Sequence, residues 1–128
     1  MSIEFSLQAK GDYLRFEVSG RRVKGEFGVE MLKVWERVAN ECQAKGFRRV
    51  LGISKTIGPV PRVELYDVAA KAPPMLRRAG CRKVAYVVLG GDEALRAIQF
   101  GEYVAASHLP VTQVFADESS ATAWLMES

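Results

Sequence analysis

Residues 84–89 read Val84-Ala85-Tyr86-Val87-Val88-Leu89, an unbroken run of β-branched, aromatic and aliphatic side chains with Arg82 and Lys83 before it and Gly90-Gly91 after it. A strand with one wet face alternates apolar and polar residues. A run that is apolar at every position belongs to a strand buried on both faces, which in a short domain is most often a central parallel strand. Parallel neighbours need crossover connections, so the run predicts an α/β fold in which the rest of the chain covers this strand.

On its C-terminal side, Asp92 is placed to cap a helix running to about Ser107. Gly101 falls in the middle of that helix, where glycine costs about 1 kcal/mol against alanine and points to close backbone packing. Pro110 closes the segment and Val111–Phe115 is the last strand. Asp117 then caps a final helix, in which Ala121, Trp124 and Leu125 form an i, i+3, i+4 apolar triplet.

On its N-terminal side, a helix begins near Pro61 or Arg62, where proline suits the first turn. Leu65, Val68, Ala69 and Ala72 are its apolar stripe and Pro73-Pro74 its stop, with Met75 to Ala79 adding a turn before Gly80. Before it stand a third strand, Arg48 to Ser54, and a proline-stiffened loop, Lys55 to Pro61. A long helix from about Glu26 to Lys45 buries Met31, Leu32, Trp35, Val38, Ala39 and Cys42 and ends on Gly46 as its C-cap. Cys42 on that stripe reads as a small core hydrophobe. At the start, Ile3, Phe5 and Leu7 alternate with polar residues, as do Leu14, Phe16 and Val18 across the turn Lys10-Gly11-Asp12. These are the strands of an antiparallel hairpin, followed by the basic loop Gly20 to Gly25.

The order is ββαβαβαβα, one domain over residues 1–128 with a mixed, mostly parallel five-stranded sheet and right-handed crossovers. If the strands after the hairpin lie side by side in chain order, every crossover helix falls on the same face and the second face is open. One row of the central strand then lacks a helix above it. Taken as Val84, Tyr86 and Val88, that row is a candidate interface for a second copy, and a homodimer is expected.

A chain of 128 residues can bury roughly two-thirds of its unfolded surface, enough for one core. The net charge of +3 is a mild bias, short of a nucleic-acid-binding arm. Cys42 and Cys81 fit no disulfide framework or metal spacing, and Met1-Ser2-Ile3-Glu4 opens no signal peptide. No apolar run approaches the ~20 residues of a membrane span. A cytoplasmic protein without cofactor is the expectation.

The stretch Val111-Thr112-Gln113-Val114-Phe115-Ala116-Asp117-Glu118-Ser119-Ser120-Ala121-Thr122-Ala123-Trp124-Leu125 resembles the ending of bacterial SpoIIAA-like proteins, which are related to STAS and CRAL-TRIO domains. Glu64-Leu65-Tyr66-Asp67 after a Gly-Pro loop and Phe100-Gly101-Glu102 are similar to the small stand-alone members. The resemblance implies a superhelix of βα units, the STAS-like fold, with helices mainly on one face. It also implies two kinds of function. Relatives of the anti-sigma-factor-antagonist type are partner-binding switches phosphorylated on a serine after the third strand. The CRAL-TRIO relatives are larger and bind lipids between sheet and helices. The switch motif, an Asp-Ser pair, is broken here, where the region reads Ser54-Lys55-Thr56-Ile57-Gly58.

Ligands of open α/β sheets bind outside the carboxyl ends of the strands. The loop after the third strand offers two hydroxyls, Ser54 and Thr56, with Lys55, Gly58, Arg62 and Tyr66 close by, suited to a small anion or a partner's acidic side chain. The competing reading is a rigid connector. His108 stands alone at a helix end, with no second histidine for a metal or a triad. Gly90-Gly91 lacks the spacing of a phosphate loop, and Asp92 and Glu93 would repel phosphate. Glu102 and Asp117 complete the acids near the strand ends and name no acid–base pair. The clusters Arg21-Arg22-Lys24, Arg48-Arg49 and Arg77-Arg78-Arg82-Lys83 have no interleaved aromatics for base stacking and read as a solvated rim, so nucleic acid is disfavoured. No catalytic constellation is visible, so the protein is not expected to be an enzyme. A non-catalytic binding or regulatory module for a protein partner or itself comes first, a carrier of a small apolar or acidic ligand second. A carrier requires an apolar pocket under the helices, a partner-binding module an exposed apolar patch.

Overall fold

The computed structural model describes residues 2–89, 91 and 110–127. The N-terminal hairpin pairs β1 (Ile3–Ala9) with β2 (Leu14–Arg21) antiparallel, Leu7 opposite Phe16, as the alternation demands. Next come helix α1 (Phe27–Lys45), β3 (Arg49–Ile57), α2 (Arg62–Arg78), β4 (Lys83–Val88), β5 (Val111–Phe115) and α3 (Glu118–Leu125). The five strands lie in chain order, β2 through β5 parallel to one another, with the predicted central run as β4 between β3 and β5. The helix expected from Asp92 to Ser107, and with it Gly90, Glu93, Gly101, Glu102 and His108, lies outside the described residues.

Because side chains alternate along a strand, one row from each strand enters each face. Leu14, Phe16 and Val18, then Val50, then Val84, Tyr86 and Val88 point toward α1 and α2, where Met31, Trp35, Val38, Val68 and Leu76 cover them. Leu51, Ile53, Ala85 and Val87 point the other way, and α3 closes over them with Ala121 and Leu125. Among the described residues the second face is therefore open only over the hairpin side. A last helix following an edge strand has no further strand to reach, so no crossover rule ties it to the face of α1 and α2, and an all-apolar β4 leaves it a row to bury. The row Val84, Tyr86, Val88 is core beneath α1 and α2, at most 9 % exposed, and offers no surface to a second copy.

Two helix ends follow their sequence signals. Gly46 takes the left-handed conformation that terminates α1, with φ 75°. Asp117 Oδ1 accepts the Ser120 N–H at 2.8 Å, capping α3. Proline does not stop α2, which runs through Pro73-Pro74 to Arg78. Proline's φ is already helical and the two residues delete only two ladder bonds. The buried stripe Val68, Ala72 and Leu76 spans the interruption and packs on α1.

Candidate functional site: a pocket between the sheet and two helices

Among the described residues the packing beneath α1 and α2 is incomplete. A pocket of about 110 Å3 opens between the helices and the inward row of β3, β4 and β5. Its walls are apolar: Met31 and Trp35 from α1, Val68 and Ala72 from α2, Val84 and Val114 from the sheet. Small residues on both layers make the gap. Ala69 and Ala72 face it from α2, and Ser54, Thr56 and Thr112 from the strands. Beside it Gly52 is required by close approach, since a Cβ there would lie 2.5 Å from Phe16 Cζ and 2.7 Å from Tyr86 Cδ1. Trp35 locks those two rings, its centroid 4.9 Å from Phe16 and 5.9 Å from Tyr86.

One end of the pocket is polar. Strand β3 continues three residues past Ser54, so Ser54 and Thr56 prolong the inward row begun by Val50 and Gly52 rather than standing in a loop. They are 3 % and 2 % exposed. Their hydroxyls lie 2.9 Å apart. Arg22 folds under the strand end from the turn after β2, anchored by its own N–H on the Ile57 carbonyl at 2.8 Å. Its guanidinium donates to Thr56 Oγ1 at 2.6 Å and Thr56 O at 3.0 Å, and Nε and Nη2 both donate to Gly58 O. A buried cation is tolerable only when its donors are engaged in this way. Burial pushes the Tyr86 phenol up to about 12, with the Ser54 hydroxyl and the nearby Arg22 charge pulling the other way. The phenol therefore stays protonated throughout the neutral range.

Of the six residues expected in one ligand loop, the structure brings Ser54 and Thr56 into this pocket and uses Gly58 as a carbonyl that fixes Arg22. Lys55 points to the opposite face, where it pairs with Glu17 at 2.9 Å. Arg62 is exposed at the start of α2, and neither it nor half-buried Tyr66 lines the pocket. The loop shrinks to Gly58–Pro61 because period-two alternation carries on through Thr56. Sequence reasoning missed Arg22 and assigned Tyr86 to an interface. The signal for both was the register: with Val50 inward, Gly52, Ser54 and Thr56 follow on the same row, opposite Tyr86 and Val88 on β4.

The expected basic cluster does form at the other end of the sheet, where Lys45, Arg48, Arg49, Arg82 and Lys83 border one groove together with Asp12 and Glu127. Lys83 Nζ lies 4.3 Å over the Trp124 ring and donates to the Trp124 carbonyl at 2.6 Å. Among the described residues no group of three or more His, Cys, Asp or Glu comes together to hold a metal ion, and no helix is long and apolar enough to cross a membrane.

No protein-family model and no curated protein matches the chain. Among solved structures it is similar to the crystal structure of an uncharacterized protein of the DUF3478 family with a SpoIIAA-like fold from Shewanella loihica. The similarity covers 97% of this chain and 94% of that one, at 16% identity and a TM-score of 0.52. Sequence motif, strand order and structural neighbour agree, and the chain has the SpoIIAA-like fold.

Proposed function

We propose that the protein is a non-catalytic binding module whose ligand is a small, largely apolar molecule held between the sheet and α1 and α2. The observation that carries the reading is the pocket of about 110 Å3, apolar on its walls with a few polar groups gathered at one end. That composition is the usual one for a small-molecule site, in which apolar walls supply affinity and a few placed polar groups set orientation. A protein partner or a second copy is the weaker reading, since the row on which self-association rested is buried within the chain. The two free, buried thiols, Cys42 and Cys81, suit a reducing compartment and hence a cytoplasmic module.

The test is direct. Xenon enters dry apolar cavities and needs no polar partner. Xenon under pressure is expected to shift the amide resonances of Trp35, Val68, Ala72 and Val114, and native mass spectrometry of protein purified from its own cells is expected to show added mass. The variant Ala72→Leu, which fills the gap, should lose both signals. Wild-type protein that responds to neither measurement would exclude the reading.

A further inference from the structure

Four cations meet where β3 and β4 enter the sheet. Arg49 and Lys83 are partners in the parallel register, and one residue earlier the Arg82 N–H donates to the Arg48 carbonyl at 2.8 Å. Neighbouring strands stand about 4.8 Å apart, so the fold sets like charges side by side twice over, an arrangement that destabilises a sheet. Farther along the sheet the same difficulty is resolved internally, where Glu17 lies 3.2 Å from Arg15 and 2.9 Å from Lys55. Among the described residues no carboxylate does this at the strand entries. There the Arg48, Arg49 and Arg82 guanidiniums make no ion pair or hydrogen bond, and Lys83 Nζ is held only by neutral groups, the Trp124 and Glu127 carbonyls and the Trp124 ring. The Asp12 and Glu127 side chains border the groove without pairing with any of the four.

We propose that this groove docks a short acidic segment of a partner protein, whose carboxylates sit between the neighbouring cations and supply the counter-charge that the chain itself does not. Arginine's planar fork matches a carboxylate through two parallel hydrogen bonds. Beside the cations, Phe47 and the 53% exposed Val111 give an apolar wall for a neighbouring side chain of the segment. The groove's volume of about 730 Å3 equals that of about 24 waters at ~30 Å3 each, so a lone anion would be left mostly solvated in it. The Arg82, Lys83 and Val111 N–H groups are spent on the Arg48 and Arg82 carbonyls, so none of the three can cradle a phosphate. DNA-binding surfaces engage about 6–10 phosphates, and four cations flanked by Asp12 and Glu127 do not extend that far. The groove lies at the strand entries and the polar end of the small-molecule pocket where β3 leaves the sheet, so both can be occupied at once.

The experiment titrates the intact protein, at neutral pH and physiological ionic strength, with a blocked Glu-Glu-Phe-Glu-Glu peptide and follows amide chemical shifts. Saturable shifts are expected at Phe47, Arg48, Arg82 and Val111, and none with the uncharged peptide Gln-Gln-Phe-Gln-Gln. Arg48→Gln combined with Arg82→Gln should weaken the acidic peptide about tenfold or more. Arg77→Gln combined with Arg78→Gln removes the same net charge outside the groove and should stay within about twofold of wild type. Because the groove cations repel one another, the first double variant should also melt no lower than wild type, so that lost binding is not lost folding. A lower melt would show those guanidiniums already partnered within the fold and overturn the proposal. Equal weakening by the two double variants would reduce binding to net charge and overturn it too, as would an equal response to the uncharged peptide or no response to the acidic one. A short oligothymidylate or a phosphatidylserine vesicle that shifts the same residues at lower concentration than the peptide would give the groove to nucleic acid or membrane instead.

Discussion

The substitution Gly52→Ala probes the packing that shapes the pocket. The added methyl would sit 2.5 Å from Phe16 Cζ, 2.6 Å from Phe16 Cε1 and 2.7 Å from Tyr86 Cδ1, against an ordinary carbon–carbon contact of about 3.5–4.0 Å. An overlap of about 1 Å cannot be relieved by a side chain swinging into solvent, because Phe16 is 0% exposed and Trp35 holds it edge-on at 4.9 Å. Nor can the backbone yield easily, since Gly52 pairs with Phe16 on one side and Tyr86 on the other in the parallel ladder. Overpacking of this kind costs about 1–3 kcal/mol. Replacing a strand glycine returns about 0.5–1 kcal/mol through the unfolded state. The net expectation is a loss of about 1–2 kcal/mol in urea unfolding with unchanged m. Phe16→Leu removes the nearest ring atoms, so the double variant should be less destabilised than the sum of the two singles. A Gly52→Ala protein as stable as wild type, or a double variant that is strictly additive, would show that the three rings do not depend on that glycine.

Thr56→Val keeps the shape of the side chain and removes the oxygen that accepts from Arg22 at 2.6 Å; a loss of about 1–3 kcal/mol in chemical denaturation is expected, because the donor left behind is buried and charged. Leu125→Ala should cost about 2–5 kcal/mol and Trp124→Ala clearly less in paired thermal melts, since Leu125 is fully buried under the second face whereas Trp124 is half-buried against Phe115 and Lys83. Glu64 reaches from α2 to accept the Gly25 and Gly28 N–H groups at the start of α1, and these bonds hold its carboxyl below the ordinary 4.5. A depressed carboxyl stabilises the fold above its unfolded value and loses that contribution as pH falls through its folded one. Glu64→Ala should therefore cost about 0.5–2 kcal/mol at pH 7, with the gap to wild type closing as pH falls below 4.5.

Much of this molecule was readable because its elements announce themselves by period. The all-apolar β4, the alternating hairpin, the 3-and-4 stripe of α1 and the Asp117-capped α3 each obey one dominant rule, burial of one face or two. Strand β3 was read three residues short because its inward row changes chemistry midway. Ser54 and Thr56 look like loop residues only if a buried position is assumed to be apolar, and Lys55 only if its partner Glu17 on the neighbouring strand is unseen. Pro73-Pro74 misled for the same reason: local propensity argued for a stop, and the buried stripe on either side decided the matter. Arg22 was invisible as a site residue because its partners, Thr56 and Gly58, lie 34 and 36 positions away in the chain. Such long-range pairing follows from sheet register, and register is set by the whole fold.

The gap under α2 has a thermodynamic consequence that separates an unrefined core from a retained site. Interiors pack to crystal density, and enclosed empty volume costs about 24 cal/mol per Å3, so a gap of about 110 Å3 that is partly open costs at most roughly 2–3 kcal/mol. Larger aliphatic residues at Ala69 or Ala72 would fill it without touching the ladder or the Arg22 bonds. The small residues at these positions thus leave stability unclaimed, as expected where the volume is needed for a guest. Ala72→Leu tests this, because Ala72 is 5 % exposed and faces the gap. If the pocket is a ligand site, the variant should melt higher than wild type without ligand, by about 1–2 kcal/mol after packing losses, and should no longer take up xenon. Stability and binding would then move in opposite directions on one substitution. A variant that is destabilised and still binds as wild type would mean that the added side chain finds no room there and that the guest lies elsewhere.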